Sequence, residues 1–393
     1  MMPPFRLLQI AGLDLDAAIA RPPFEMVDLC TDAPLRAVER IVEAAIEHDV
    51  DGVLFSPASP RDGMPHVMGL AAVESLQDLV ESLREQDITV IVAANSNLPF
   101  WRRLVGRDAK SQLLAPGERI LFHDRHDRLC AELYGLNSMD DAENPSRAAE
   151  FMIGVAPTLS VADMGSADAP RGYDYLALGA GPRETHRLNR CVAHCPGAPQ
   201  AISAADQGPH GLTLVNVDGA GIVEMKFLST ASVRFESFAV AGAADAEIDD
   251  LALRMMELLE SREAEASERG WIVLWTIRVH GELLNRLETP RGRSELLALL
   301  PATHEGRVVS HRIRVVPDTE LVTDVPFASE FREALRERRE SLATLPGRTT
   351  LVGLDDEGRH VRRIMELLAA CDEQDVVDQA QRIGLRLSAA VQD

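Results

Sequence analysis

The stretch FRLLQIAGLDLD, residues 5–16, is an apolar run that ends in a glycine and two aspartates. This pattern predicts a buried strand that leads into a polar loop. Two further apolar runs have the same form, GVLFS at 52–56 and ITVIVAA at 88–94. Apolar residues at helical spacing precede each of these two runs. Strands that alternate with helices predict a layered α/β domain with a parallel sheet.

The first helix is predicted to start at Asp32, with Pro34 in its first turn, and the second to cover Val67–Gln86. Later in the chain, two apolar runs flank Asp218-Gly219 and predict a hairpin. Parallel strands followed by hairpins suggest two facing sheets flanked by helices. After residue 239, an α-β-α-β order suggests a smaller unit.

The net charge of the chain limits which partners it can bind directly. The 393 residues contain 40 basic and 62 acidic side chains, which give a formal net charge of −22. Such a surface repels a phosphate backbone, so DNA contact would need a local arginine patch or a partner. The five cysteines are scattered, and no apolar run approaches the ~20 residues of a membrane span. We therefore expect a cytoplasmic protein with reduced thiols and no membrane contact.

In a parallel sheet, chemistry takes place in the loops that follow the carboxyl ends of the strands. The corresponding segments in this chain are QIAGLDLD (9–16), GVLFSPAS (52–59), VIVAANSN (90–97), IGVAPT (153–158) and YLALGAGP (175–182). A turn, CPGAPQ, and the segment DQGPHGLTLVNVDG follow at 195–200 and 206–219.

This order of segments resembles the SbcD-type DNA-repair exonucleases of the calcineurin-like metallophosphoesterase superfamily. The resemblance implies an α/β fold, a four-layer metallophosphoesterase sandwich of two facing β-sheets flanked by helices. A small α/β capping domain and a helical C-terminal tail complete it. The implied domains are 1–238 for the metallophosphoesterase-like domain, 239–326 for the capping domain and 327–393 for the tail.

The resemblance also locates the residues that would hold two catalytic metal ions. Asp16 matches a framework position, and Asn95 keeps the bridging asparagine. The positions that correspond to metal ligands or to the catalytic histidine are Gly12, Asp14, Ala58, Asn95, Ser96, Pro157, Ala180 and Pro182. Glycine, alanine and proline side chains offer no donor atom, so we expect a dismantled dinuclear site, with no catalytic residue and no cofactor.

The hypothesis for function is a catalytically inactive homologue of the nuclease subunit, with a structural or regulatory role. It would form a homodimer or a complex with a nuclease paralogue or an SMC-like ATPase. The family dimerises through helices, which map here to the stretch around Val67–Arg84; its leucines and valines would equally suit packing on the sheet. The C-terminal segment at 327–345 would dock on an ATPase coiled coil or pack on its own domain.

Two alternatives remain open. The first is a residual metal-dependent nuclease or phosphodiesterase in which Asp14, Asn95 and Asn97 hold a single Mn²⁺ or Mg²⁺ ion through oxygen atoms. The same residues also suit helix caps and turns. The second alternative is a ligand-binding module that uses the emptied cleft.

Other groups of residues in the sequence point less specifically to binding sites. Arg183, Arg187 and Arg190 follow the last loop and suit either phosphate contacts or surface ion pairs. Zinc binding by Cys191, His194, Cys195 and Cys130 competes with simple alternation along a strand. His123 and His126 flank a polar turn and suit solvated histidines. The glycines at 179 and 181 lack the remainder of a dinucleotide fingerprint, and neither a P-loop nor a serine-hydrolase motif occurs.

Overall fold

The computed structural model describes residues 2–15, 18–19, 21–57, 69–105, 110–138, 148–164, 172–188, 191–242 and 246–317. The strands are β1 Phe5–Leu13, β2 Gly52–Pro57, β3 Thr89–Ala93, β4 Ser111–Leu114, β5 Arg119–His123, β6 Leu129–Gly135, β7 Phe151–Ala156, β8 Tyr175–Leu178, β9 Glu184–Leu188, β10 Cys191–Cys195, β11 Gly211–Val217, β12 Val223–Ser229, β13 Val233–Ala241, β14 Gly270–Val279, β15 Thr303–His304 and β16 Arg307–Pro317. The α-helices are α1 Val27–Glu47, α2 Leu70–Glu85, α3 Leu98–Val105, α4 Ile248–Glu260, α5 Gly281–Glu288 and α6 Pro290–Leu299.

The first sheet has the strand order β12-β11-β1-β2-β3-β4. Strands β1 to β4 are parallel, and the β11–β12 hairpin adds to β1 in the antiparallel direction. The predicted hairpin is confirmed, and Asp218 closes its turn by accepting hydrogen bonds from the N–H groups of Ala220 and Ile222. The parallel half of this sheet therefore includes the three apolar runs that begin the chain.

The second sheet has the order β5-β6-β7-β8-β10-β9. Strands β6, β7, β8 and β10 are parallel, whereas β5 and β9 are antiparallel edge strands. The sequence pattern does not predict β9, because its exposed sequence Glu-Thr-His-Arg carries no apolar run. Pairing with β10, rather than burial of its own side chains, makes this segment a strand.

The two six-stranded sheets face each other across a shared apolar core. Leu7, Leu54 and Ile91 of the first sheet pack in one cluster with Phe122 and Ile153 of the second. Such burial stabilises by about 25 cal/mol for each Å² of apolar surface removed from water. The expected α/β fold with two facing sheets flanked by helices is confirmed.

Helices α1, α2 and α3 cover the other face of the first sheet. The sequence predicts that α1 starts at Asp32, but it begins at Val27 and contains Pro34 in its interior. The longer helix places Cys30 and Ala33 in an apolar cluster with β13 and β14, an interaction that local sequence does not reveal.

The dimer interface proposed for α2 shares its apolar residues with the chain's own core. Leu76, Leu79, Val80 and Leu83 are buried against the first sheet, and Leu70 alone of the leucines on this helix is largely exposed, at 75%. The packing on the sheet accounts for most of the helical pattern.

The chain separates into two compact units. The first unit comprises Met1–Phe238, Leu258–Leu274 and Pro301–Arg312, and it contains both six-stranded sheets. The described part of the second comprises residues 239–242 and 246–257, Trp275–Leu300 and residues 313–317. A four-stranded sheet has the order β13-β14-β16-β15. The domain division at residues 238 and 326 stays a prediction, and the predicted tail, 327–393, lies outside the described residues.

No helix among the residues described above is long and apolar enough to cross a membrane.

Candidate functional site at the carboxyl edge

The loops that follow β1, β3, β7 and β8 lie at one edge of the sandwich, which we call the carboxyl edge. The described loops of this edge are 12–14, 94–97, 157–159 and 179–183. Strand register brings them together within each sheet, since Phe55 of β2 pairs with Val92 of β3 and Ala156 of β7 with Leu178 of β8. The expectation that these loops share an edge follows from parallel pairing.

Asn95 joins the edges of the two sheets. Its amide Nδ2 donates a hydrogen bond to Thr158 Oγ1 at 3.1 Å. Asn95 follows β3 of the first sheet and Thr158 follows β7 of the second, so the bond spans the gap between them. The asparagine that the resemblance assigns to metal bridging is thus engaged by a neutral hydroxyl group.

Gly12 lies in an irregular part of β1, where the register with β2 shifts between Ala11 and Leu13. Its φ of +65° is a left-handed conformation that favours glycine. A Cβ atom at this position would lie 3.6 Å from Ala198 Cβ, in ordinary contact. A bulkier ligand residue would therefore be strained by the backbone conformation more than by lack of space.

Asp14 follows β1, and its Oδ1 atom is buried without a hydrogen-bond partner among the described residues. A buried carboxylate oxygen without a donor is costly, and such an atom attracts a cation or a proton donor. Asp14 therefore offers a buried carboxylate oxygen whose chemistry is compatible with a bound ion.

The loops after β7 and β8 pack directly on each other. Gly179 N donates to Ala156 O, and Ala180 N donates to Leu159 O at 3.1 Å. A Cβ atom on Gly179 would lie 2.3 Å from Pro157 O, so the two backbones touch. The space between Pro157 and Ala180 is thus filled by main chain.

Ser96 and Asn97 are exposed at the start of α3. The carbonyl oxygen of Asn97 accepts hydrogen bonds from Phe100 N and Trp101 N, and its φ is +50°. This geometry fits the interpretation of Asn97 as a turn residue that starts a helix. Pro182 is also exposed, and the remaining predicted positions, Ala58 and Asp16, lie outside the described residues.

These residues do not fit a dinuclear metal centre. In the part of the chain that the structure describes, no group of three or more His, Cys, Asp or Glu side chains is placed to hold a metal ion. The bond to Thr158 uses Asn95 Nδ2, so Asn95 offers one amide oxygen, Asp14 offers one carboxylate, and Asn97 is exposed at the start of α3. These oxygen atoms are too few for a centre that holds two metal ions. We therefore derive no catalytic step through bound metal ions.

The predicted phosphate-binding arginines differ in their surroundings. The Arg183 guanidinium lies 3.8 Å above the centre of the Phe227 ring. Arg187 is exposed on β9 and lines a surface cavity with Asp174 and Glu150. Arg190 lies outside the described residues. The structure thus distinguishes Arg183, which stacks on an aromatic ring, from Arg187, which shares a surface cavity with two carboxylates.

The proposed zinc ligands do not converge. Cys191 and Cys195 lie in the apolar cluster on the outer face of the second sheet, whereas Cys130 lies in the cluster between the sheets. His194 points between the sheets, where its ring nitrogens lie 2.8 Å from Thr185 Oγ1 and from Thr213 Oγ1. Burial raises the pKa of Cys191 to about 12 and lowers the pKa of His194 to about 4. The spacing of Cys191, His194 and Cys195 reflects side chains that alternate between the two faces of β10, and not a zinc site.

His123 and His126 lie at a polar turn that Asp124 closes. The Asp124 carboxylate accepts hydrogen bonds from His126 N and Arg128 N, each at 2.9 Å. These bonds and the Arg128 guanidinium hold the pKa of Asp124 below its usual range, although burial opposes the shift. The turn accounts for both histidines without a ligand role.

A buried polar group below the carboxyl edge has no counterpart in the sequence predictions. Gln9 of β1 donates through Nε2 to Leu178 O at 3.1 Å and to His194 O at 3.2 Å, and its Oε1 accepts from the Tyr175 hydroxyl. The available signal was a single glutamine inside an otherwise apolar strand. Its partners lie in another sheet, which a local pattern does not identify.

Comparison with known protein families and with curated proteins finds no match. Solved structures are similar at low identity. TT1561 of Thermus thermophilus shares 11% identity, with 57% of this chain and 99% of that chain covered and a TM-score of 0.34. YfcE, a phosphoesterase from E. coli, shares 13% identity, with 56% and 98% covered and a TM-score of 0.27.

Proposed function

We propose that this chain is a catalytically inactive homologue of a DNA-repair exonuclease subunit. In this proposal it acts in the cytoplasm as a structural or regulatory component, as a homodimer or together with a nuclease paralogue or an SMC-like ATPase. DNA would be reached through the partner or a local arginine patch. The observation that carries the proposal is that Gly12, Pro157 and Ala180 at the carboxyl edge have no side-chain donor atom that could bind a metal ion.

The physical argument concerns what the loops at this edge do. A two-metal centre requires several carboxylate, imidazole and amide donors directed into one space. Here Asn95 donates to a hydroxyl group, and the main chains at Pro157 and Gly179 are in contact. The Asn95–Thr158 bond joins the two sheets, and the Pro157–Gly179 contact joins two loops of the second sheet. A structural role is therefore the interpretation that requires no rearrangement of the edge.

The test is calorimetric titration of the full chain with Mn²⁺, together with an assay of phosphodiester hydrolysis. We expect no saturable Mn²⁺ binding at the edge and no hydrolysis above the rate in buffer. Thr158→Ala should lower stability by about 1 kcal/mol, the usual contribution of one hydrogen bond, without creating activity.

The second candidate is a residual one-metal phosphodiesterase, and the buried Oδ1 of Asp14 favours it. Tight Mn²⁺ binding with turnover that Asp14→Ala abolishes would establish it and refute the inactive homologue. Asp78→Ala, on the exposed side of α2, is the matched control and should change neither binding nor turnover.

A further inference from the structure

Arg183 lies next to the carboxyl edge, between the loop after β8 and strand β9. A Cβ atom on Gly197 would lie 3.1 Å from Arg183 N, and one on Gly12 would lie 3.6 Å from Ala198 Cβ. Because Gly197 and Ala198 are consecutive, a single turn of chain separates Arg183 from the loop after β1. The cation is thus part of the surroundings of this edge.

The Arg183 side chain is held by an aromatic ring. Its guanidinium lies 3.8 Å from the centre of the Phe227 ring, the shortest such distance among the described arginines. Stacking covers one face of the guanidinium and leaves its N–H donors free in the plane of the group. Partial burial lowers the pKa of Arg183, and the Glu265 carboxylate opposes the shift, so the guanidinium remains charged at neutral pH.

The charge of Arg183 has no ion-pair partner within 4 Å among the described residues. Other arginines on the same unit find carboxylates, such as Arg125 with Asp49 at 2.6 Å and Arg119 with Glu132 at 3.4 Å. The neighbouring histidines His194 and His210 have pKa values lowered mainly by burial, so they are neutral near pH 7. In a chain with 62 acidic side chains, an arginine that pairs with none of the described ones is available for an anion.

We propose that Arg183, supported by Phe227, binds the phosphate group of a small phosphorylated ligand beside the Gly197–Ala198 turn. A guanidinium forms two parallel hydrogen bonds with a phosphate. A phosphate monoester carries nearly two negative charges, so it competes better than the carboxylates of the protein itself. The net charge of −22 repels a long polyanion, which favours a small ligand over a nucleic-acid strand. The inference rests on the proposed function, in which the edge carries out no hydrolysis and a phosphorylated ligand bound there would not be consumed.

The test is calorimetric titration of the full chain with inorganic phosphate and with adenosine monophosphate, in the presence of EDTA. We expect Arg183→Gln to weaken phosphate binding by at least about tenfold, as for the loss of a charge-assisted hydrogen bond. Phe227→Leu should weaken it by about two- to fivefold, since the stack that positions the guanidinium is lost. Arg36→Gln, on the exposed side of α1, is the matched control and should leave the affinity unchanged.

Three results would overturn the inference. The first is a folded wild-type chain that binds neither probe at millimolar concentrations. The second is an equal loss of affinity in Arg183→Gln and Arg36→Gln. The third is binding of a short single-stranded oligonucleotide alone, which would indicate a nucleic-acid surface. If Arg183→Gln does not fold, Arg183→Lys replaces it, with an expected affinity below wild type because the ammonium lacks the planar fork.

The test of phosphate binding can fail or succeed independently of the test of catalytic activity. If the chain hydrolyses phosphodiesters with Mn²⁺, the inactive homologue is refuted, while Arg183-dependent phosphate binding in EDTA would still stand. If the chain is inactive and phosphate fails to bind, only the inference fails.

Discussion

Two buried polar clusters of the first unit stabilise it in different ways. The neutral cluster consists of Gln9, Tyr175, His194 and Thr213, and it joins the two facing sheets by hydrogen bonds. The charged cluster consists of Arg234, Glu236, Glu268 and Trp271. There Arg234 Nε donates to Glu236 Oε1 at 2.6 Å, and its guanidinium lies over the Trp271 ring. Each cluster satisfies its polar groups, but only the second depends on charge neutralisation.

The two clusters should differ in how much stability the protein loses when one side chain of the cluster is replaced. In the charged cluster, one arginine neutralises two carboxylates, since Arg234 also lies 3.4 Å from Glu268 Oε1. Loss of a partner there leaves a buried charge, which is far more costly than an unpaired neutral group. In the neutral cluster, loss of one side chain leaves carbonyl or hydroxyl groups without a partner, at a smaller cost.

The largest effect is expected for Arg234→Met. The substitution leaves Glu268 buried without its cation and Glu236 with only the more distant Arg262, so the free energy of unfolding should fall by about 3–5 kcal/mol. Urea unfolding followed by circular dichroism measures it. The control is Arg262→Met, because Arg262 is half exposed and lies 3.9 Å from Glu236 Oε2, so its loss should cost less than about 1 kcal/mol. Equal losses in the two variants would contradict the comparison.

A pH effect should follow from His194 in the neutral cluster. Its pKa is about 4 in the folded chain and 6.5 as the ordinary value, because burial disfavours the charged ring. The unfolded chain therefore binds a proton that the folded chain does not, and stability should fall by up to about 3 kcal/mol as pH drops from 6.5 to 4. Urea unfolding at several pH values measures the slope.

His194→Gln should flatten the pH dependence of stability, whereas His126→Gln on the exposed turn should leave it unchanged.

Glu268 of the charged cluster changes the pH dependence of stability in the opposite direction. Burial raises its pKa, so its protonation favours the folded chain at low pH. If the stability of His194→Gln falls with decreasing pH as steeply as that of the wild type, groups other than His194 cause the loss of stability at acid pH.

The smallest effect in the series is expected for Gln9→Leu. Two carbonyl groups, of Leu178 and His194, lose their donor and the Tyr175 hydroxyl loses its acceptor, so stability should fall by about 1–3 kcal/mol. In the Gln9→Leu background, Tyr175→Phe should lower the free energy of unfolding by less than it does in the wild-type chain. The reason is that the Tyr175 hydroxyl group has already lost its acceptor. Gln77→Leu on the exposed face of α2 serves as control, with an expected change within about 0.5 kcal/mol.

Much of the fold was predictable because its first strands are continuous apolar runs. The runs that became β1, β2 and β3 are buried along nearly their whole length, and such strands stand out from their surroundings. The start of α1 was missed because Cys30 and Ala33 pack on strands that lie far along the chain. β9 was missed because its partner, not its composition, makes it a strand.

The candidate site divides in the same way. The absence of a side-chain donor atom at Gly12, Pro157 and Ala180 follows from the residue types alone. The hydrogen bond from Asn95 to Thr158, 63 residues away, and the stacking of Arg183 on Phe227 depend instead on the folded arrangement of the chain. Such contacts depend on which strands pair and how two sheets face each other, and local periodicity holds no information about either.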